Sequence, residues 1–190
     1  MKRSKSLKLF LMGATALTLV ACDEPQEVAI FETTEQCASQ VDFDKDACES
    51  NFKTAQVEHI RVAPKYASAA DCEVDFGAAQ CEVAPQTTSN GGSVFMPMMM
   101  GYMMGSMISN SARGGSAGGS SMKSQPLYRS ADDRKSFRTG DNHKVSGKTG
   151  VTKVASNVAR APSTKTSTIR RGGFGAAAAK TAGRSRSYGG

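Results

Sequence analysis

Residues 94–108 read VFMPMMMGYMMGSMI, and whether they wind into a helix or lie in a sheet decides the fold. No charged residue interrupts them. Pro97 confines any helix to the residues that follow, because proline lacks the amide hydrogen that a helix interior needs. From Met98 to Ile108, Gly101 and Gly105 stand four apart, the G-x-x-x-G spacing that lets two apolar helices approach closely. The run therefore reads as a short Met/Gly helix, too short to cross a bilayer, which takes about 20 apolar residues. Met side chains adapt to irregular apolar surfaces, and Tyr102 joins an apolar ring to a polar tip. Met98, Gly101, Tyr102 and Gly105 are thus expected to meet a partner helix, a second copy of the chain, or the membrane interface. Two other readings use the same residues. The run could fold back to complete a neighbouring core, or Met96, Met99, Met103 and Met107 could hold Cu(I) through their soft thioethers. No histidine stands beside them and burial explains the apolarity, so soft-metal binding is the alternative function.

On either side the composition changes. Residues 86–93, QTTSNGGS, and the stretch SNSARGGSAGGSS read as linkers. Upstream, residues 26–85 hold Cys37, Cys48, Cys72 and Cys81. A weak internal repeat aligns VDFDKDACE at 41–49 with VDFGAAQCE at 74–82. Four cysteines allow three connectivities, and spacing alone does not choose. The simplest pairing that respects the repeat is Cys37–Cys48 with Cys72–Cys81. DACESNFKTAQVEHIRV suits a helix, with Asp46 and Glu49 at capping-box spacing; Phe52, Ala55, His59 and Ile60 lie near one face. Pro64 ends it, and another helical turn starts near Ser68. The expectation is a small α-rich, disulfide-stapled domain, since so short a segment rarely finds enough stability in core burial alone.

The first residues explain why the cysteines would be oxidised. Lys2, Arg3, Lys5 and Lys8 precede an apolar stretch from Leu9 to Val20, the plan of an export signal over residues 1–21. Leu19-Val20-Ala21-Cys22 resembles the lipobox of bacterial lipoproteins. That resemblance implies cleavage before Cys22, acylation of its sulfur with chains such as palmitate, and a lipid-anchored N-terminus at 22–25. Asp23 after the anchor implies retention at the inner membrane, with the outer membrane as the other destination. An oxidising periplasm favours disulfides.

Charge splits the remainder. Residues 23–108 hold 14 acidic against 4 basic side chains, and residues 109–190 hold 16 basic against 3 acidic. From residue 109 apolar side chains are sparse, so this segment reads as a long disordered basic tail that touches anionic surfaces. Phe174 would be a small anchor within it. IRRGGFG at 169–175 resembles a single RGG-type motif, but an exported chain meets little RNA, and no nucleic-acid partner is expected. Asp42, Asp44 and Asp46 have the spacing that opens a calcium loop. Ala47 and Lys53 occupy the places where glycine and glutamate are required, so acids at a helix N-terminus are the better reading. No nucleophile–base arrangement or phosphate cradle stands out, no cofactor is implied, and no enzyme is expected.

Taken in order, the lipobox, APKYAS at 63–68, DCEVDFGAAQC at 71–81, FMPMMMGYMMG at 95–105 and RGGFG at 171–175 resemble the YgiB-type lipoproteins of proteobacteria. The resemblance spans nearly the whole chain. It implies a cell-envelope lipoprotein and carries no catalytic residues to transfer.

Overall fold

The computed structural model describes residues 24–88, 90–105 and 123–186. Six strands form one antiparallel sheet. In chain order these are β1 (Gln26–Phe31), β5 (Gly101–Gly105), β6 (Gln125–Ser130), β7 (Asp133–Arg138), β8 (Lys144–Ser146) and β9 (Gly150–Val154), lying side by side as β8-β7-β6-β5-β1-β9. A second sheet, ordered β10-β2-β4-β3, holds β2 (Lys65–Tyr66), β3 (Cys81–Thr87), β4 (Ser93–Pro97) and β10 (Thr168–Ile169). The described helices are α1 (Thr34–Ala38), α2 (Lys45–Val62), α3 (Ala69–Phe76), α4 (Ser156–Ala159) and α5 (Ala176–Arg186). None is long and apolar enough to cross a membrane.

Over its described residues, 94–105, the Met/Gly run is not a helix. Its first part is β4 and its second is β5, paired with β1 through Val28–Gly105 and Phe31–Tyr102 and with β6 through Gly101–Leu127. A strand turns alternate side chains to opposite faces, and here both faces are buried. Tyr102 and Met104 join Ala29 and Phe31 in the cluster beneath α1 and α2. Met103 joins Val28, Ile30 and Leu127 in the cluster on the other face, where Val158 and Ala159 of α4 close it. The spacing of Gly101 and Gly105 thus serves a sheet. A Cβ on Gly101 would stand 2.7 Å from the carbonyl oxygen of Phe31.

The expected α-rich domain with a disordered tail is overturned as well. Residues 26–31 need β9, from residues 150–154, as their second neighbour, so the acidic and basic halves build one mixed α/β fold. The basic half supplies β6 to β10, α4 and α5. Of its large apolar side chains, Leu127, Tyr128 and Phe137 are fully buried, in clusters they share with Val28, Met103 and Phe76 of the first half. Residues 86–93 are largely the β3–β4 hairpin rather than a linker between domains.

Local chemistry accounts for the helices. Asp44, not Asp46, caps α2: its carboxylate accepts from the amides of Asp46 at 3.0 Å and Ala47 at 3.2 Å. Ser68 caps α3 through the amide of Asp71. Cys37 is joined to Cys48 and Cys72 to Cys81, one bond tying α1 to α2 and the other tying α3 to β3.

Candidate functional site

A groove of about 760 Å³ lies between the C-terminal half of α2, the β3–β4 hairpin and residues 164–168. Val57 and Ile60 of α2 form one wall, Val94 and the end of the β3–β4 hairpin another, and residues 164–168 a third. Val57 is 69% exposed and Ile60 38%. Spaced i, i+3, they share a helix flank and give the groove an apolar lip. Thr87, Thr88, Thr164 and Thr166 also line it.

The ionic groups at this groove are bound internally. Arg61 donates through Nε to Glu58 at 2.9 Å and through a terminal nitrogen to Thr164. Lys165 pairs with Asp141, which also accepts from the amide of Ser163 at 3.0 Å. Burial pulls the Asp141 carboxyl upward, but hydrogen bonds from Lys165 and Ser163 outweigh it and leave a net lowering. Lys65 is unusual. It is 4% exposed, and its ammonium donates to the carbonyls of Ile60 at 2.7 Å and Ala63 at 3.1 Å, with Met96 Sδ at 3.9 Å. The negative end of the α2 dipole therefore takes the place of a carboxylate partner. Burial pushes the Lys65 ammonium down to about 8.

On the sheet-facing side of the same helix, His59 bridges Tyr128 of β6 and Glu82 of β3. Nδ1 lies 2.9 Å from the Tyr128 hydroxyl and Nε2 lies 3.0 Å from Glu82 Oε1. A neutral imidazole satisfies both contacts: the tyrosine hydroxyl donates to Nδ1, and Nε2–H donates to the carboxylate. Burial lowers the His59 pKa, against the opposing pull of Glu82. Burial, then Glu82, raises that of Tyr128. The chain Glu82–His59–Tyr128 ends in the core among Phe76, Met96 and Phe174 and does not line the groove, so it clamps two sheets and a helix together.

RGGFG has an internal task. The Asp75 carboxylate of α3 accepts from the amides of Gly172 (2.6 Å), Gly173 (3.2 Å) and Phe174 (3.1 Å) and from the Tyr66 hydroxyl (2.8 Å). Three successive amides around one anion form a nest. Asn142 accepts from the amide of Gly175, and Asp132 accepts from the amides of Ala176 and Ala177 at the start of α5. Phe174 is thereby set against Phe76, ring centroids 4.8 Å apart. Gly175, at φ +104°, leaves room for Asp132, whose Oδ1 would lie 2.6 Å from a Cβ there.

Of the residues singled out from the sequence, Met98 lies at the surface, 40% exposed, while Tyr102 is fully buried and Phe174 nearly so. Gly101 and Gly105 are strand residues. Met96, Met99 and Met103 belong to three different apolar clusters; Met107 and Cys22 lie outside the described residues. Among the described residues no group of three or more His, Cys, Asp or Glu side chains is placed to hold a metal ion. The sequence reading missed the groove, Lys65, and the partners of His59. The one available signal was His59 on the apolar flank of α2.

Residues 25–185 match the family described as "Protein of unknown function (DUF1190)". The chain belongs to that family. The DUF1190 match begins one residue before β1 and ends within α5, so it takes in both sheets, the groove and the Asp75 nest, in agreement with the YgiB-type resemblance. The chain is 34% identical over 182 residues to a UPF0441 protein of Erwinia tasmaniensis, covering 90% of this chain and 80% of the relative. It is also 34% identical over 177 residues to UPF0441 protein SG0265 of Sodalis glossinidius, with 90% and 80% covered. For a UPF0441 protein of Yersinia pestis the figure is 34% over 209 residues, with 97% and 87% covered. No solved structure matches the chain.

Proposed function

We propose that this protein is a non-catalytic binding protein of the bacterial envelope, held to a membrane by acyl chains on Cys22 and engaging a segment of another envelope protein in the groove beside α2. The observation that carries the reading is the groove's chemistry. Its lip offers Val57 and Ile60 to solvent, while Arg61, Lys65 and Lys165 already have partners inside the molecule. Such a surface contributes apolar area and hydroxyl hydrogen bonds and leaves little ionic chemistry to spend on a reaction. It suits recognition of a partner segment more than turnover of a substrate.

A photo-crosslinking amino acid at Val57 in intact cells tests this directly. A discrete adduct with one envelope protein, lost when Ile60 is changed to Asp, is expected; adducts confined to the chain itself would sink the reading. Anchoring has its own test: Cys22→Ala is expected to abolish labelling with a palmitate analogue and release the protein from membranes. Asp23 supports inner-membrane residence, and Asp23→Ser is expected to shift the protein toward the outer-membrane fraction.

A further inference from the structure

The register of the six-stranded sheet gathers four chain positions at one end. β1 starts there with Gln26, opposite Val154 at the finish of β9; Val28 faces Gly105 at the finish of β5; and Met103 faces Gln125 at the start of β6. The described chain therefore begins, leaves at Gly105, re-enters at Lys123 and completes β9 at the same end of the sheet. The opposite end holds Phe31, Gly101, the β6–β7 turn and Gly150.

We infer that the end carrying Gln26, Gly105, Gln125 and Val154 is the face that rests on the bilayer, with Lys123, Lys153 and Arg160 touching phospholipid headgroups. This rests on the reading that Cys22 is acylated. Three residues lie between Cys22 and Gln26, and the four steps along the chain span at most about 14 Å. β1 itself, from Gln26 to Phe31, extends about 17 Å. A tether of that reach cannot bring the opposite end to the headgroups while the sheet stands upright, because Gln26 would then lie beyond it.

Charge supplies the second argument. Lys153 is opposite Glu27 across the β1–β9 ladder, and Arg160 follows Ala159, whose carbonyl accepts from the Gln125 side chain at 2.6 Å. Lys123, Lys153 and Arg160 are exposed, and among the described residues none is in an ion pair. Glu24 and Glu27 share this end, so the tether sets the orientation and the three cations make the phosphate contacts. A consequence concerns the basic RGGFG segment. The carbonyl of Asp75 accepts from the amide of Ala131, in the β6–β7 turn, at 2.7 Å, which places the Asp75 nest, with exposed Arg170 and Arg171 beside it, at the end facing away from the anchoring membrane.

The test uses the full-length acylated protein in vesicles of phosphatidylcholine and phosphatidylglycerol, some lipids bearing a headgroup spin label. A fluorescent amino acid is placed at Lys123 or Lys153, and in separate samples at Lys135 or Arg171. Several-fold stronger quenching at Lys123 and Lys153 is expected. Flotation of the vesicles separates the two claims. Protein that floats but is quenched evenly, or more strongly at Lys135 and Arg171, overturns the orientation alone. Protein that does not float overturns the anchor and the orientation with it. With a label at Asn157, changing Lys123, Lys153 and Arg160 together to Ala is expected to weaken quenching on these vesicles; unchanged quenching overturns the headgroup contacts.

Discussion

His59 and Lys65 sit six residues apart, and both are buried groups whose charged forms are disfavoured. Their pH signatures follow by linkage. The folded value for His59 lies below its ordinary 6.5, so as pH falls the unfolded chain takes up the proton first. The contribution of the neutral histidine is present above about 6.5 and is lost as pH drops below it. Chemical denaturation at a series of pH values should show this decline, and His59→Leu should flatten it. That variant should also cost about 1–3 kcal/mol at neutral pH by leaving the Tyr128 hydroxyl without its partner. Lys65 also has a folded value, about 8, below its ordinary 10.5, so stability should rise as pH climbs between those two values. Lys65→Met, which keeps the unbranched stem but carries no charge to desolvate, should remove that rise and hold or improve stability at pH 7. The Tyr102 hydroxyl is buried without a hydrogen-bond partner, and burial, with Glu35 nearby, pushes its pKa up to about 12. Tyr102→Phe should leave the Tm unchanged or raise it.

Among the elements, α2 was the most legible. Its periodicity, its acidic start and its stop before Pro64 were all in the sequence, and only the capping residue moved, from Asp46 to Asp44. The start of α3 at Ser68 was equally local. β5 was not legible, because a strand buried on both faces loses the alternation that marks a strand. GYMMG then matches a helix-contact spacing by coincidence. The groove was beyond sequence reading for a similar reason, since its walls come from residues 57–61, from 86–88 with Val94, and from 164–168. The Asp75 nest joins α3 to a motif 97 residues away, and a reading confined to the motif finds only loose cationic chain. Asp75→Asn should weaken the dock of 172–174, costing about 3 kcal/mol by removing a charged acceptor from several buried donors. Trypsin should then cut earlier at Arg170 and Arg171 than in the unaltered protein. Equal cleavage rates would show that Phe174 alone holds the segment.

At the scale of the molecule, the disordered-tail reading failed because it asked each half to bury its own surface. Val28, Ile30, Met103 and Leu127 form one cluster drawn from both halves, so the sparse apolar residues after residue 109 suffice once the first half supplies the rest. A chain ending at residue 122 should therefore show no cooperative thermal transition, whereas residues 24–190 should unfold in one. Circular dichroism on both distinguishes these outcomes. Pairing β1 with β9 also joins segments some 120 positions apart, a high contact order that slows folding. The same pairing has a mechanical consequence. β1 is hydrogen-bonded on both sides, to β5 and to β9, and residue 24 leads directly into it. A pull on the N-terminus along the strand axis loads both ladders in shear, so their bonds share the force instead of parting one by one. β1 is thus the strand that carries any pull applied at the N-terminus, which under the proposed acyl anchor would be the pull of a membrane.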